Sequence, residues 1–360
     1  MALNLQPPVP AGDAAHAAAV GSDAILPDAT MRRIWPTVFA LIGESAPDGM
    51  LDLVHMRHRI ERAPEAVPAL RSQRHRADGY TLTTVAGAGE WISTDDFFVR
   101  SPGVPGESSV TPSKEAVDTP HLLLGAVEGR APRDLTTFAA VSGDLNPIHR
   151  SDSLARLVGL PGRIVHGMWT SAFGQRAAVE LACAGDVDRL QEWDITFMAP
   201  VLPGAELRAT ATRTGMRSGR RQVEIVIETA DEVVAIGTAM VSGPRTAYVF
   251  PGQGIQHVGM GMDGYARSQA ARDVWDTADA HCRAALGFSI LEVVRDNPTS
   301  LVAGMPGDAR AGVTYRHPAG VLFLTQFTQV AMATLASAQV AEMREAGVFD
   351  ESAVTAGHSV

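Results

Sequence analysis

The chain has 360 residues, 46% of them hydrophobic and 19% charged, an ordinary globular balance with enough length for two or three domains that each bury a core. A net charge of -10 argues against nucleic acid or an anionic membrane as the main partner, because both select for basic surfaces. The only cysteines, Cys183 and Cys282, lie far apart and without metal-ligand spacing, so neither a disulfide framework nor a zinc site is expected, and a reducing cytoplasm fits.

Residues 1–30 are rich in Ala, Pro, Gly and Asp and read as a flexible N-terminal segment, with no basic n-region or apolar core of a secretory signal. The folded part is expected to begin at "MRRIWPTVFALIGE", where Trp35, Val38, Phe39 and Ile42 recur at helical spacing. Strand-like pieces follow: "MLDLVHMRHRI", "YTLTTVAG" and "EWISTDDFFVRS". The stretch "SPGVPGESSVTPSKEAVDTP" then reads as a connector between lobes.

From 119 to 243 the pattern predicts one long buried helix, "IVHGMWTSAFGQRAAVELACAG", ended by Gly185. Three strands follow it. "ELRATATR" places Leu207, Ala209 and Ala211 on one face, "RQVEIVIET" does the same with Val223, Ile225 and Ile227, and "EVVAIGTAMVS" is more continuously apolar. One long helix and strands able to wrap it make an α+β layout. After the boundary "SGPRT", "TAYVFPGQGIQHVGMGM" predicts a short buried strand and a Gly-rich turn, and "HPAGVLFLTQFTQVAMATLASAQVAEMREAG" a long helix with Pro318 near its start and Gly347 at its end. The apolar run from Val321 to Val340 is interrupted by Thr325, Gln326, Thr328 and Gln329 and reads as a packed helix rather than a membrane span. "SAVTAGHSV" closes the chain as a strand entering an elbow.

Chemistry concentrates in "FAAVSGDLNPIHR". Asp144 and His149 flank Asn146-Pro147, and the proline forbids a continuous helix, so both side chains belong to a tight turn able to aim them at one point. A neutral imidazole beside a carboxylate suits acid-base work. The competing account is a capped turn with a surface histidine. Gly167, at the start of the long helix, offers a free backbone N–H where the helix dipole favours negative charge, so a thioester oxyanion is a plausible occupant; close backbone packing is the plainer explanation of the glycine.

"FAAVSGDLNPIHRSDSLARLVGLPGRIVHGMW" resembles the signature of MaoC-like, hydratase-2-type hot-dog enzymes, and "TAYVFPGQGIQHVGMGM" with "AGHSV" resembles the start of a malonyl/acyl transferase. In this order, with "VWDTADAHCRAALGFSILEVVRDNPTS" and "FLTQFTQVAMAT", they resemble one stretch of a bacterial type I fatty acid synthase of the actinobacterial kind. The resemblance implies a double hot-dog unit, with residues 31–118 as a non-catalytic lobe and 119–243 as the catalytic lobe, followed at 244–360 by an incomplete α/β acyltransferase.

It further implies that Asp144 and His149 are the catalytic pair of a 3-hydroxyacyl dehydratase and that the Gly167 N–H polarises the thioester. An (R)-specific enoyl-CoA hydratase uses the same parts in reverse, and a non-catalytic structural fragment of a megasynthase is the alternative from another class. In the transferase part, Ser359 matches the acyl-accepting nucleophile, with backbone N–H groups of Gln253 and Val360 as the oxyanion contacts. His358 is not its base. The family's base histidine and carboxylate-holding arginine have no match here, so this chain is expected to be truncated and unable to use Ser359.

The implied partners are acyl carrier protein with phosphopantetheine-linked acyl chains, or acyl-CoA, and the remaining domains of a synthase; no cofactor or metal is implied. "GQG" lacks the dinucleotide-binding pattern and no Walker lysine is present. Arg57, Arg59, Arg62, Arg71, Arg74 and Arg76 form a basic cluster that either receives an acidic carrier protein or a coenzyme A phosphate or, the more expected case, is a solvated face or an interface with the rest of a synthase. His55 and His58 hint at a metal, but no third ligand is evident.

Overall fold

A computed structural model describes residues 12–45, 53–63, 66–76, 79–100, 116–244, 246–304 and 312–357. The chain divides into two units: one runs to Gly215 and resumes at Arg221–Ser242, and the other comprises Met216–Arg220 and the residues from Gly243 onward.

In the first unit, α1 (Asp13–Ala19) and a 3-10 turn (Pro27–Thr30) lead into α2 (Met31–Ser45). The described residues 12–30 are therefore folded, a correction to the flexible segment expected from composition. Their few apolar groups are what holds them. Ala17, Val20, Leu26 and Ala29 are buried, and Ala19 carbonyl oxygen accepts from the Trp169 indole N–H at 3.1 Å.

Next come β1 (Leu53–Arg62), β2 (Ala69–Arg76), β3 (Gly79–Ala88) and β4 (Trp91–Arg100); β2, β3 and β4 form a meander, β1 pairs with β4, and α2 packs on β3 and β2. The basic run "RSQRHR" is thus itself a strand. Then come β5 (Val117–Arg130), α3 (Thr136–Ser142), α4 (Asp152–Leu157), α5 (Gly167–Leu181), β6 (Leu190–Phe197), β7 (Glu206–Arg217), β8 (Arg220–Glu228) and β9 (Val233–Val241). The connector expected at 101–120 falls mostly outside the described residues.

All nine strands form one sheet in the order β2-β3-β4-β1-β6-β9-β8-β7-β5. Antiparallel pairing of β1 with β6 joins the two halves, each of which curves around its own helix, α2 or α5. This is the expected doubled hot-dog arrangement. Alternation on β7 and β8 turns Leu207, Ala209, Ala211, Val223, Ile225 and Ile227 into the core, where each is at most 3% exposed. Packing is close at Trp193 on β6. Its ring fits only because Gly174 on α5 and Gly237 on β9 lack side chains: a Cβ would approach it to 2.9 Å and 2.3 Å.

The second unit has its own core around Trp275, Ile290, Val293 and Phe327. It contains β10 (Ala247–Phe250), α6 (Met262–Arg267), α7 (Gln269–Leu286), α8 (Ile290–Arg295), the antiparallel pair β11 (Ser300–Ala303) and β12 (Val313–Arg316), α9 (Thr325–Glu345) and β13 (Val354–Gly357). The long predicted helix starts later than expected. Gly320 at φ 100° and Leu324 in an extended conformation set a 3-10 turn, Val321–Phe323, apart from α9. Strands β10 and β13 pair in parallel, but they are exposed rather than buried, with Val249 and Val354 each 70% accessible. No helix among the described residues is long and apolar enough to cross a membrane.

Candidate active site

Asp144, His149 and Gly167 line one cavity of about 240 Å³ in the first unit. Local turn chemistry sets this up. The Asp144 carboxylate accepts from Asn146 N–H at 3.0 Å, the Asn146 side chain accepts from Ile148 N–H at 3.2 Å, and Pro147 opens a short 3-10 turn that delivers His149. His149 is buried, and its Nδ1 donates to the Ile164 carbonyl at 2.8 Å, which leaves the lone pair on Nε2. That Nε2 lies 3.7 Å from Asp144 Oδ2. Burial holds the imidazole below its ordinary pKa, against the upward pull of Asp144, so the ring is neutral and basic at pH 7.

Gly167 is the first residue of α5, and its N–H has no acceptor among the described residues. The plainer reading of this glycine also has support, since a Cβ there would come within 3.3 Å of Phe197. Both follow from one geometry: the missing side chain lets β6 approach and leaves the helix N-terminus open to the cavity.

His166 is a site residue that the sequence reading passed over, although it stands in the quoted "RIVHGMW". It is fully buried, stacks on His149 with centroids 3.9 Å apart, and its Nε2 donates to the Asp144 carbonyl at 3.2 Å. Burial and the neighbouring His149 push it down to about 4. Its Nδ1 has no hydrogen-bond partner among the described residues. Asp144, His149 and His166 offer donors close enough to one another to hold an ion.

A second cluster lies in the other half of the sheet. His55 and His58 share Asp95 Oδ1 at 2.9 and 2.7 Å, so Asp95 is the third donor that the sequence did not reveal. Both nitrogens of His58 are occupied, however, because Nε2 meets Asp28 at 2.9 Å. Burial opposes its charge, but the carboxylates of Asp28 and Asp95 outweigh burial and raise His58 to about 10. Asp95 is correspondingly held well below the usual carboxylate range by His58 and His55, against its own burial. The arrangement is a buried ion pair rather than an open coordination site.

Of the basic cluster, Arg57 pairs with Asp194, Arg59 with Glu61 and Glu192, and Arg62 with Asp188. These pairs fit a solvated sheet face. Arg76 has its side chain outside the description. Gln253 lies in the other unit, exposed in the turn after β10, its side chain donating weakly to the Thr325 carbonyl at 3.4 Å. Ser359 and Val360 fall outside the described residues.

Residues 105–235 match the MaoC like domain family and residues 247–360 match the acyl transferase domain family. The chain is 37% identical over 261 residues to the fatty acid synthase subunit beta of Schizosaccharomyces pombe, covering 62% of this chain and 13% of that one. It is 33% identical over 310 residues to the Saccharomyces cerevisiae subunit, covering 76% and 15%. Among solved structures, a MaoC-like dehydratase from Phytophthora capsici aligns with TM-score 0.49 and 18% identity, covering 64% of this chain and 92% of that one. The chain spans about one seventh of the length of these curated relatives. It thus joins a MaoC-like hot-dog region to an acyl transferase region, in the manner of part of a fatty acid synthase beta subunit.

Proposed function

We propose that the first unit dehydrates (R)-3-hydroxyacyl thioesters to trans-2-enoyl thioesters within a fatty acid synthase, on acyl chains carried by the phosphopantetheine arm of acyl carrier protein. The observation that carries this reading is the convergence of the His149 Nε2 lone pair, the Asp144 carboxylate and the Gly167 N–H on one largely apolar cavity. The thioester oxygen accepts from Gly167 N–H, which acidifies the adjacent C–H. His149 Nε2 takes that proton, and the new imidazolium faces Asp144. As the C3–O bond breaks, the departing hydroxide takes the proton back from His149, so one water leaves and the imidazole returns to neutrality. Asp144 orients the hydroxyl and stabilises the transient cation.

Residues 31–118 serve as the non-catalytic lobe, 119–243 as the catalytic one and 244–360 as acyltransferase. In that last segment Ser359 stands at the position of the family's nucleophile. Gln253 follows β10 and Ser359 follows β13 in sequence, and these two strands are parallel neighbours, an arrangement that favours a shared site beyond their carboxyl ends. The relatives above are fungal, so the actinobacterial kind of type I synthase is part of the proposal, as is a cytoplasmic location.

An (R)-specific enoyl-CoA hydratase runs the same chemistry backwards, and the acyl transferase match favours the synthetic direction. A purely structural role is disfavoured because Asp144 and His149 face the cavity together and not bulk solvent. The test is incubation with (R)- and (S)-3-hydroxybutyryl-CoA while enoyl absorbance is followed. Absorbance that rises with the R isomer alone supports the reading; no rise with either isomer, from folded protein, contradicts it.

A further inference from the structure

The half of the cavity built by residues 35–97 is lined by Trp35, Phe39, Leu53, Val54, Met56 and Phe97, with one titratable side chain among them, His55. Strand geometry alone would not put it there. Successive side chains alternate faces, so His55 and His58, three apart, belong on opposite sides of a regular strand. The register of β1 against β4 slips between His55 and Arg57, leaving Met56 as an extra residue. That bulge turns His55 to the same side as His58, which is why both reach one oxygen of Asp95. His55 then stacks on Phe97 at 4.6 Å and leans on Phe197 at 5.3 Å, the residue that closes on Gly167.

The buried pair does not need His55. Asp95 keeps His58 and the Ser93 hydroxyl without it, and His58 keeps Asp28. With Nε2 given to Asp95, the other ring nitrogen of His55 has no hydrogen-bond partner among the described residues, and the side chain retains 14% exposure. A polar ring therefore lines an apolar half-cavity, held through Nε2 by the buried carboxylate of Asp95.

We propose that His55 is a specificity-determining residue that limits acyl chain length. This rests on the dehydratase reading of the same cavity. With the reacting carbons fixed at Asp144, His149 and Gly167, the acyl tail runs along the apolar wall toward His55. A tail that stops short leaves water on the imidazole, whereas one that reaches it strips that water and offers only methylene in exchange, at the cost of an unpaired buried ring nitrogen. The ring selects for shorter chains, or for tails carrying a hydroxyl at that depth.

The experiment compares kcat/KM for hydration of crotonyl-CoA and trans-2-dodecenoyl-CoA in the parent, His55→Leu and His55→Gln. The dodecenoyl to crotonyl ratio is expected to rise about tenfold in His55→Leu and to stay near the parent's in His55→Gln, which keeps a polar group there. A ratio equal in all three overturns the proposal. If the parent hydrates neither thioester, the dehydratase reading fails separately. The role of His55 is then decided by calorimetric binding of saturated butyryl-CoA and lauroyl-CoA, where an unchanged affinity ratio in His55→Leu overturns it and a rise supports it.

Discussion

The rings of His149 and His166 stack with centroids 3.9 Å apart, and both are held below their ordinary pKa, first of all by burial. Two imidazolium ions cannot share that contact without repulsion. Burial keeps His149 a neutral base against the upward pull of Asp144 and the Ile164 carbonyl, and that carbonyl, by accepting from Nδ1, leaves the lone pair on Nε2.

A pH profile follows from that. Because the folded pKa of His149 is depressed, the neutral base persists below 6.5, and kcat/KM for hydration is expected to fall on the acid side with a midpoint under 6.5. An acid midpoint above 6.5 would contradict the assignment of His149 as base.

Gly167 allows an unusually clean test of a backbone group. Proline is accepted at the first helical position, and His166 already has φ -57° and ψ 132°, the region a residue before proline prefers. Gly167→Pro removes the N–H, while Gly167→Ala retains it and adds the same Cβ against Phe197. Steady-state hydration kinetics are expected to show a loss of about 10²–10³-fold for proline beyond that for alanine. Equal losses would make the glycine a packing residue only.

His58 supplies a stability prediction. Its folded pKa is raised from 6.5 to about 10, so its contribution is complete below 6.5 and is lost as pH rises through 10. Asp95 has a depressed folded pKa, so its share is present above 3.8 and is lost as pH falls. The destabilisation caused by His58→Gln, on the order of 3–5 kcal/mol for breaking a buried pair, should be largest between these limits and shrink toward pH 10. Urea melts of parent and variant across that range measure it.

Packing around Trp193 gives a third kind of test. Gly237→Ala places a methyl 2.3 Å from the indole, so the ring or β9 must shift. A loss of about 1–3 kcal/mol is expected from the urea midpoint, and a neutral result would mean that the core yields there.

Much of this was legible from residues because it rests on periodicity. Val223, Ile225 and Ile227 alternate cleanly, and the strand they announce is β8, with those three at 0% exposure. The turn at Asp144 and His149 was legible because proline forbids the alternative helix. What escaped depends on contacts distant in sequence. His55 and His58 converge on Asp95 only through a bulge, and alternation misplaces one of them. Asp28 lay in a segment that composition read as flexible, yet Gln175 of α5 bonds to it at 2.6 Å. His166 was visible in its motif, but only the tertiary structure shows that it stacks on His149. The apolar residues of β10 suggested burial, whereas Val249 is 70% exposed.

The most direct test of the central claim is loss of enoyl absorbance when the purified chain is mixed with crotonyl-CoA, run beside Asp144→Asn and His149→Ala. The account predicts hydration by the parent and a loss of about 10²–10⁴-fold in each variant. Hydration that survives both substitutions, or none from a folded parent, would contradict it.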